Sequence, residues 1–201
     1  MSKAKVSRNG KCERKTRETS ISASVEIDGE GRYEVNTGIG FLDHMLELFA
    51  RHGLFNLRVT CKGDLHVDAH HSVEDIAIAL GEAFKQAAGE KQGILRYGHV
   101  YITMDESLVR ACLDLSGRPY LVCSLGTLRR EVVGGMPTEM VEHFFRSFST
   151  HFPMNLHIDL LRGEDTHHII EAVFKAVTRA LRTALTTDVR EAGVPSTKGV
   201  L

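Results

Sequence analysis

The sequence predicts an α+β fold made of two copies of one β-β(-β)-α-β-α half, with the helices of each half on one face of a mostly antiparallel sheet. Two observations carry this. First, GFLDHMLELFARHGLFNLRV and DAHHSVEDIAIALGEAF are echoed by TEMVEHFFRSFSTHFPMNLHI and DTHHIIEAVFKAVTRAL. His44, His52 and Asn56 pair with His143, His151 and Asn155 at an offset of 99; His70, His71 and Glu74 pair with His167, His168 and Glu171 at an offset of 97. Upstream, ETSISASVEIDG, from Glu18, resembles ESLVRACLDLSG, from Glu106, at an offset of 88. Second, stretches of period two and period 3.6 follow one another in the same order in both halves. Helices on one face of a sheet make a layer, and two such layers can pack through their helices into one pseudo-symmetric body.

The elements follow in order. Thr19–Ile27 and Arg32–Val35 alternate around Asp28-Gly29-Glu30-Gly31, the signal of a hairpin. Phe41–Arg51 is helical: Phe41, Met45, Leu48 and Phe49 form one stripe, with Asp43, Glu47 and Arg51 opposite. Leu54–Cys61 reads as a strand. Ser72–Ala88 is a helix whose core face is Ile76, Leu80, Ala83 and Phe84. The second half repeats the order with strands Val100–Met104, Val109–Leu115 and Tyr120–Leu125, helix Glu139–His151, strand Leu156–Leu161 and helix His167–Thr186. The expected division is residues 1–92 and 93–187 for the two halves, with an N-terminal arm over 1–16 and a tail over 188–201. The arm region Met1–Arg17 carries seven basic residues, the tail contains Gly, Pro and Ser, and both ends are expected to be mobile.

Composition narrows the function. The chain has 201 residues, 42% hydrophobic and 25% charged, with 25 Lys+Arg against 26 Asp+Glu. A formal charge of -1 gives no basic field for nucleic acid or an anionic membrane. No apolar stretch approaches the roughly 20 residues of a spanning helix, and none at the start suggests a secretory signal. Cys12, Cys61, Cys112 and Cys123 lack CxxC spacing, so a reduced, cytoplasmic setting is expected.

The 11 histidines are the outlier, and eight of them sit in the repeat. Composition alone gives about 0.05 HHxxE strings in a chain of this length, yet there are two. On a helix His70 and Glu74 share a face, whereas His71 points about 100° away. One ion can take His70 with Glu74, and His71 serves another. His167, His168 and Glu171 offer the same set. With His44 and His143 the total is six imidazoles and two carboxylates, enough for two sites of three His and one Glu. Such sites suit a borderline divalent ion such as Mn, Fe, Co or Zn, and with open positions they are Lewis-acidic. Asp43, Asp75 and Glu142 are placed to accept from ring N–H groups. Arg96, Arg118 and the Pro195-Ser196-Thr197-Lys198-Gly199 tail suit a phosphate. His66, His99 and His157 lack repeat partners and read as ordinary surface or core residues. A dimetal phosphoesterase and a metal-assembled storage protein are the rival readings. The carboxylate-poor ligand set argues against the first, and the Arg/Lys phosphate clamp against the second.

GFLDHM, DAHHSVED and GEDTHHIIEAVFK together resemble imidazoleglycerol-phosphate dehydratase, an enzyme family of histidine biosynthesis. The likeness runs from about Arg8 to Leu201, with a small departure at Asp165, where many members have Asn. It implies halves of the ribosomal protein S5 domain 2-like type, and a chain without the phosphatase domain fused to some members. It also implies two Mn2+ ions per subunit, at boundaries within a homo-oligomer of about 24 chains. By motif position it implies one site of His70, Glu74, His143 and His167 and another of His44, His71, His168 and Glu171. Glu18, His52, Arg96, Arg118, Ser196 and Lys198 fall at substrate-contacting positions, the last four around the phosphate. The implied reaction takes imidazole glycerol phosphate to imidazole acetol phosphate and water. The departing proton is on a carbinol carbon with no neighbouring carbonyl, so the imidazole ring must act as electron sink between two Mn ions. Glu18 and Glu171 are the candidates for acid/base work.

Overall fold

The computed structural model describes residues 7–201. Its first sheet contains β1 (Asn9–Lys15), β2 (Thr19–Glu26), β3 (Tyr33–Asn36) and β4 (Asn56–Gly63), in the order β1-β2-β4-β3. Helices α1 (Gly40–Gly53) and α2 (His70–Ala88) belong to the same half. The second half repeats the design: β5 (Tyr97–Met104), β6 (Ser107–Asp114) and β7 (Tyr120–Ser124), then a small hairpin of β8 (Val132–Val133) and β9 (Met136–Pro137), α3 (Met140–His151), β10 (Asn155–Arg162) and α4 (Thr166–Leu185). Its sheet order is β5-β6-β10-β7, the same path under the repeat. In both sheets only the last pairing, β3 with β4 and β7 with β10, is parallel.

Strand alternation sets the faces. β2 buries Thr19, Ile21, Ala23 and Val25 while the residues between them stay more open, and β6 does the same with Ser107, Val109, Ala111 and Leu113. The buried faces meet α2 and α4, respectively. Between the halves α1 packs on α4 and α2 on α3, so the layers run sheet, helices, helices, sheet. Phe84 sits in the middle, with ring centroids 5.1–6.0 Å from those of Phe49, Phe55, Phe148 and Phe152. The expected core faces of α1 and α2 are buried, except that Leu48 is only half-buried.

Two glycines let the sheets come close to their helices. A Cβ on Gly10 of β1 would lie 1.9 Å from the carbonyl oxygen of Ala83; on Gly98 of β5 it would lie 1.9 Å from that of Ala180. These four positions correspond under the repeat, so both halves carry the same close contact.

Three expectations are corrected. The segments around Asp28–Gly31 do not form a hairpin: β2 is flanked by β1 and β4, and β3 pairs with the far edge of β4. The expected arm contains a strand over Asn9–Lys15, while residues 1–6 lie outside the described residues. That strand lacks an apolar pattern because it is an edge whose inward positions are filled by Gly10, Cys12 and Arg14, the last paired with Asp75 of α2 at 2.7 Å. The tail has no regular element but is anchored. Gly93 N–H donates to Gly193 O at 2.8 Å, Asp188 N–H to Gly93 O at 2.8 Å, and Arg96 Nη1 to Pro195 O at 2.8 Å. No helix among the described residues is long and apolar enough to cross a membrane.

Candidate metal centres

Helix packing between the halves brings the repeated motifs together. His70 and Glu74, one turn apart at the start of α2, face His143 in the first turn of α3. His167 and Glu171 on α4 face His44 in the first turns of α1. In each trio one ligand atom per residue lies within 4.8 Å of the others. The first trio has His143 Nε2 at 3.4 Å and His70 Nε2 at 3.8 Å from Glu74 oxygens, with the two rings 4.5 Å apart. The second has His44 Nε2 at 2.8 Å and His167 Nε2 at 3.9 Å from Glu171 Oε1.

Within one chain, therefore, His167 lies with His44 and Glu171 and not with His70; the grouping implied by resemblance joins ligands across subunit boundaries. His71 and His168 belong to neither trio. The helical turn of about 100° per residue directs each away from its neighbour's trio.

The trios fit a divalent cation. Nε2 of His143 is buried and, among the described residues, has no hydrogen-bond partner. A buried imidazole nitrogen without a partner is costly, and a cation would satisfy it. Each trio supplies two imidazoles and a carboxylate, a set suited to borderline divalent ions. Glu171 is 6% exposed. Burial pushes its carboxyl up, but hydrogen bonds from Lys175 and His44 outweigh it and hold it below its ordinary value. Its second oxygen accepts from Lys175 Nζ at 2.9 Å, so Glu171 stays ionised.

The carboxylates that hold histidine rings differ from those expected. Asp43 accepts from Thr37, Asp75 from Arg14 and Thr19, and Glu142 from Arg146; none of these bonds reaches a motif histidine. Instead, Asp64 accepts from His71 Nδ1 at 3.1 Å and Glu106 from His168 Nδ1 at 2.8 Å. These bonds raise both imidazoles above their ordinary pKa. Backbone N–H groups of Asp165 and Glu164, with the His168 ring, hold Glu106 far below the usual carboxylate range. Asp64, Glu106 and Lys175 were not singled out by sequence. Glu106 carried a signal, its offset of 88 from Glu18; Asp64 and Lys175 carried none. Asp165, the departure from the family pattern, caps α4 by accepting from the N–H groups of His167 and His168.

Glu18 immediately precedes β2, with its side chain 53% exposed and Oε1 3.9 Å from His71 Nε2. His52, in the last turn of α1, is pushed below its ordinary pKa by burial and by nearby Lys175 and Arg179. Arg96 spends Nε and Nη2 on Asp114 at 2.7 and 3.1 Å and Nη1 on Pro195 O, so it orders the tail; two of its five N–H donors remain. Ser196 Oγ accepts from Lys198 N–H at 3.2 Å. The turn carrying Arg118 comes close to the chain end: a Cβ on Gly117 would lie 2.6 Å from Leu201 C. The anchored tail thus runs from Arg96 toward the turn of Arg118.

Fold and site define a duplicated α+β protein with two imidazole–carboxylate cradles suited to divalent metal. The sequence model of the imidazoleglycerol-phosphate dehydratase family matches residues 37–181. An imidazoleglycerol-phosphate dehydratase of Thermoanaerobacter pseudethanolicus (strain ATCC 33223 / 39E) is 56% identical over 194 residues, 96% of this chain and 100% of that protein. One of Heliobacterium modesticaldum (strain ATCC 51547 / Ice1) is 59% identical over 189 residues, 94% and 96% of the two chains. The crystal structure of imidazoleglycerol-phosphate dehydratase from Staphylococcus aureus subsp. aureus N315 superposes with a TM-score of 0.81 at 42% identity, covering 90% of this chain and 99% of that one. The Pyrococcus furiosus enzyme, crystallised with (S)-C348, gives 0.80 at 34% identity, covering 94% and 99%. The chain belongs to the imidazoleglycerol-phosphate dehydratase family. It is therefore an enzyme of the hydro-lyase class.

Proposed function

We propose that this chain dehydrates imidazole glycerol phosphate to imidazole acetol phosphate in histidine biosynthesis, with two Mn2+ ions per subunit. The observation that carries the reading is the pair of cradles, His70–Glu74–His143 and His44–His167–Glu171, with the exposed Glu18 carboxylate near His71. The proton to be removed is on a carbon that is not acidic, so the imidazole must accept electron density. Ions in the cradles would supply Lewis acidity toward the ring nitrogens, favouring the deprotonated ring as electron sink.

The chain's own residues divide the remaining work. Glu171 is buried, with one oxygen toward His44 and the other on Lys175, which suits a ligand better than a proton carrier. Glu18 is open to solvent on its turn; as the hydroxyl beside the ring leaves as water with the proton the ring gives up, a carboxylate there can take the C–H proton of the adjoining carbinol carbon and return it to the ring-side carbon of the enol. Lys198, Ser196 and Arg118, with the remaining donors of Arg96, bind the phosphate. His71 and His168 each present Nε2 away from the chain's own cradles, which supports ligation to a neighbouring subunit and a metal-joined homo-oligomer. The test is incubation of purified protein with imidazole glycerol phosphate and Mn2+. Ketone product supports the reading; free inorganic phosphate would indicate a phosphoesterase, and neither product a non-catalytic metal protein.

A further inference from the structure

The repeat places Glu18 and Glu106 at equivalent points, each directly before the second strand of its half. Their surroundings differ. Glu106 Oε1 accepts from Ser107 Oγ at 2.9 Å and from the backbone N–H groups of Glu164 and Asp165 at 3.1 and 2.9 Å, while Oε2 accepts from His168 Nδ1 at 2.8 Å. Glu18 has no comparable clamp among the described residues. In the first half the corresponding ring, His71, is held through Nδ1 by Asp64. The second half has a shorter link between β10 and α4. Its two acidic residues there are committed elsewhere: Asp165 caps the helix and Glu164 pairs with Arg129 at 3.2 Å.

An ionised carboxylate can only accept, so the ring nitrogen facing it must carry the proton. The other nitrogen, Nε2, is then left with its lone pair outward, the form in which imidazole ligates a metal. Asp64 and Glu106 thus impose the same tautomer on His71 and His168.

We propose that the two halves have divided one repeated glutamate between two tasks: Glu106 is a positioning residue that fixes His168 as an Nε2 metal ligand, and Asp64 does this for His71, freeing Glu18 for proton transfer. On the second side the exposed carboxylate facing Nε2 is that of Asp105, 3.7 Å from His168 Nε2, so the repeated glutamate itself is open for proton transfer in the first half only. The inference rests on the metal-dependent reading above and adds a role that reading does not contain.

Glu106→Gln separates positioning from support of the loop. Three donors converge on Oε1 and pin the amide oxygen there, so the clamp on Glu164 and Asp165 survives. The amide nitrogen then faces His168 Nδ1 and donates to it, forcing the proton to Nε2 and removing the ligand. Chelator-stripped wild-type and variant protein are compared by equilibrium dialysis against Mn2+, with thermal melts of the metal-free forms alongside. The variant should bind one of its two ions per chain roughly 10–100-fold more weakly, with an unchanged metal-free melt. Asp64→Ala, which removes the acceptor from His71 Nδ1, should weaken the other ion similarly, and because Asp64 clamps no backbone it keeps the test open if Glu106→Gln fails to fold. Two ions bound at wild-type affinity in either folded variant would overturn the assignment. So would a Glu106→Gln variant with full metal affinity and lost turnover, which would make Glu106 a second proton-transfer group. Wild-type protein that takes up no Mn2+ would instead overturn the metal reading itself, and the assignment with it.

Discussion

His44 on α1 and Glu171 on α4 meet at 2.8 Å, Nε2 to Oε1, across 127 positions of the chain. The contact joins the first helix of one half to the second helix of the other, and His143 and Glu74 make the reciprocal approach at 3.4 Å. Each cradle is therefore a product of helix packing between the halves, which organises the expectations below.

His71 lies outside both cradles of its own chain and away from the core. His71→Ala should cost one ion per chain while the metal-free fold keeps its stability within about 0.5 kcal/mol. Metal content by elemental analysis checks this; two ions per chain in the variant would remove His71 from the ligand set.

Glu18 is the exposed carboxylate near His71. Glu18→Gln should lower kcat roughly 10²–10⁴-fold and leave bound Mn2+ and KM near wild-type values. A kcat within threefold of wild type would exclude it from proton transfer.

Lys198 supplies a cation from a tail that Gly93 and Arg96 anchor at Gly193 and Pro195. Lys198→Ala should raise KM strongly without changing metal content. Steady-state kinetics on the variant decides whether the tail binds the phosphate.

Chelation should yield smaller species that keep their secondary structure, because ligands from neighbouring chains are joined only through the ions. Acid should do the same, and the sign of the imidazole shifts sets where. Asp64 and Glu106 raise His71 and His168 above the ordinary imidazole range, so protons compete with metal at higher pH than at an ordinary histidine. Ion release should therefore accompany acidification into the range where these imidazoles take up protons. Sedimentation and metal content across a pH series test both points, and a large particle fully stripped of metal would refute metal bridging.

Gly10→Ala and Gly98→Ala should be comparably harmful. Each would set a Cβ 1.9 Å from a helix carbonyl oxygen, and relief requires moving β1 from α2 or β5 from α4. Overpacking of this kind costs about 1–3 kcal/mol or more, measurable by chemical denaturation. A large difference between the two would contradict the equivalence of the halves.

Much of this was legible in the sequence because the signals were periodic or repeated. The stripes Phe41–Met45–Phe49 and Ile76–Leu80–Phe84 announce helices that bury one face, and the doubled HHxxE strings announce the ligands. β1 was hidden because an edge strand with Gly10, Cys12 and Arg14 as its inward residues has no hydrophobic alternation. The Asp28–Gly31 turn was legible as a turn, but strand partners are long-range, and β4 takes the position that a hairpin would give to β3. The grouping of His167 with His44 was hidden for a related reason: spacing fixes which residues share a helix face, and only packing decides which faces meet. The ring-holding carboxylate Asp64 lies at an ordinary acidic position and acquires its role from geometry alone, whereas Glu106 is marked only by its repeat partner Glu18.

The reciprocal cradles have a consequence for how such a molecule could arise. A free-standing half would own a lone histidine on its first helix and a His–Glu pair on its second, too far apart to combine. Two identical copies related by a two-fold axis would complete both sets at once, so the ligand geometry is that of a homodimer. In that homodimer every substitution would be felt at both sites. The peptide link between α2 and β5 makes the pair a single polypeptide and removes that constraint, so the two ends of the axis are free to carry different residues and do different chemistry.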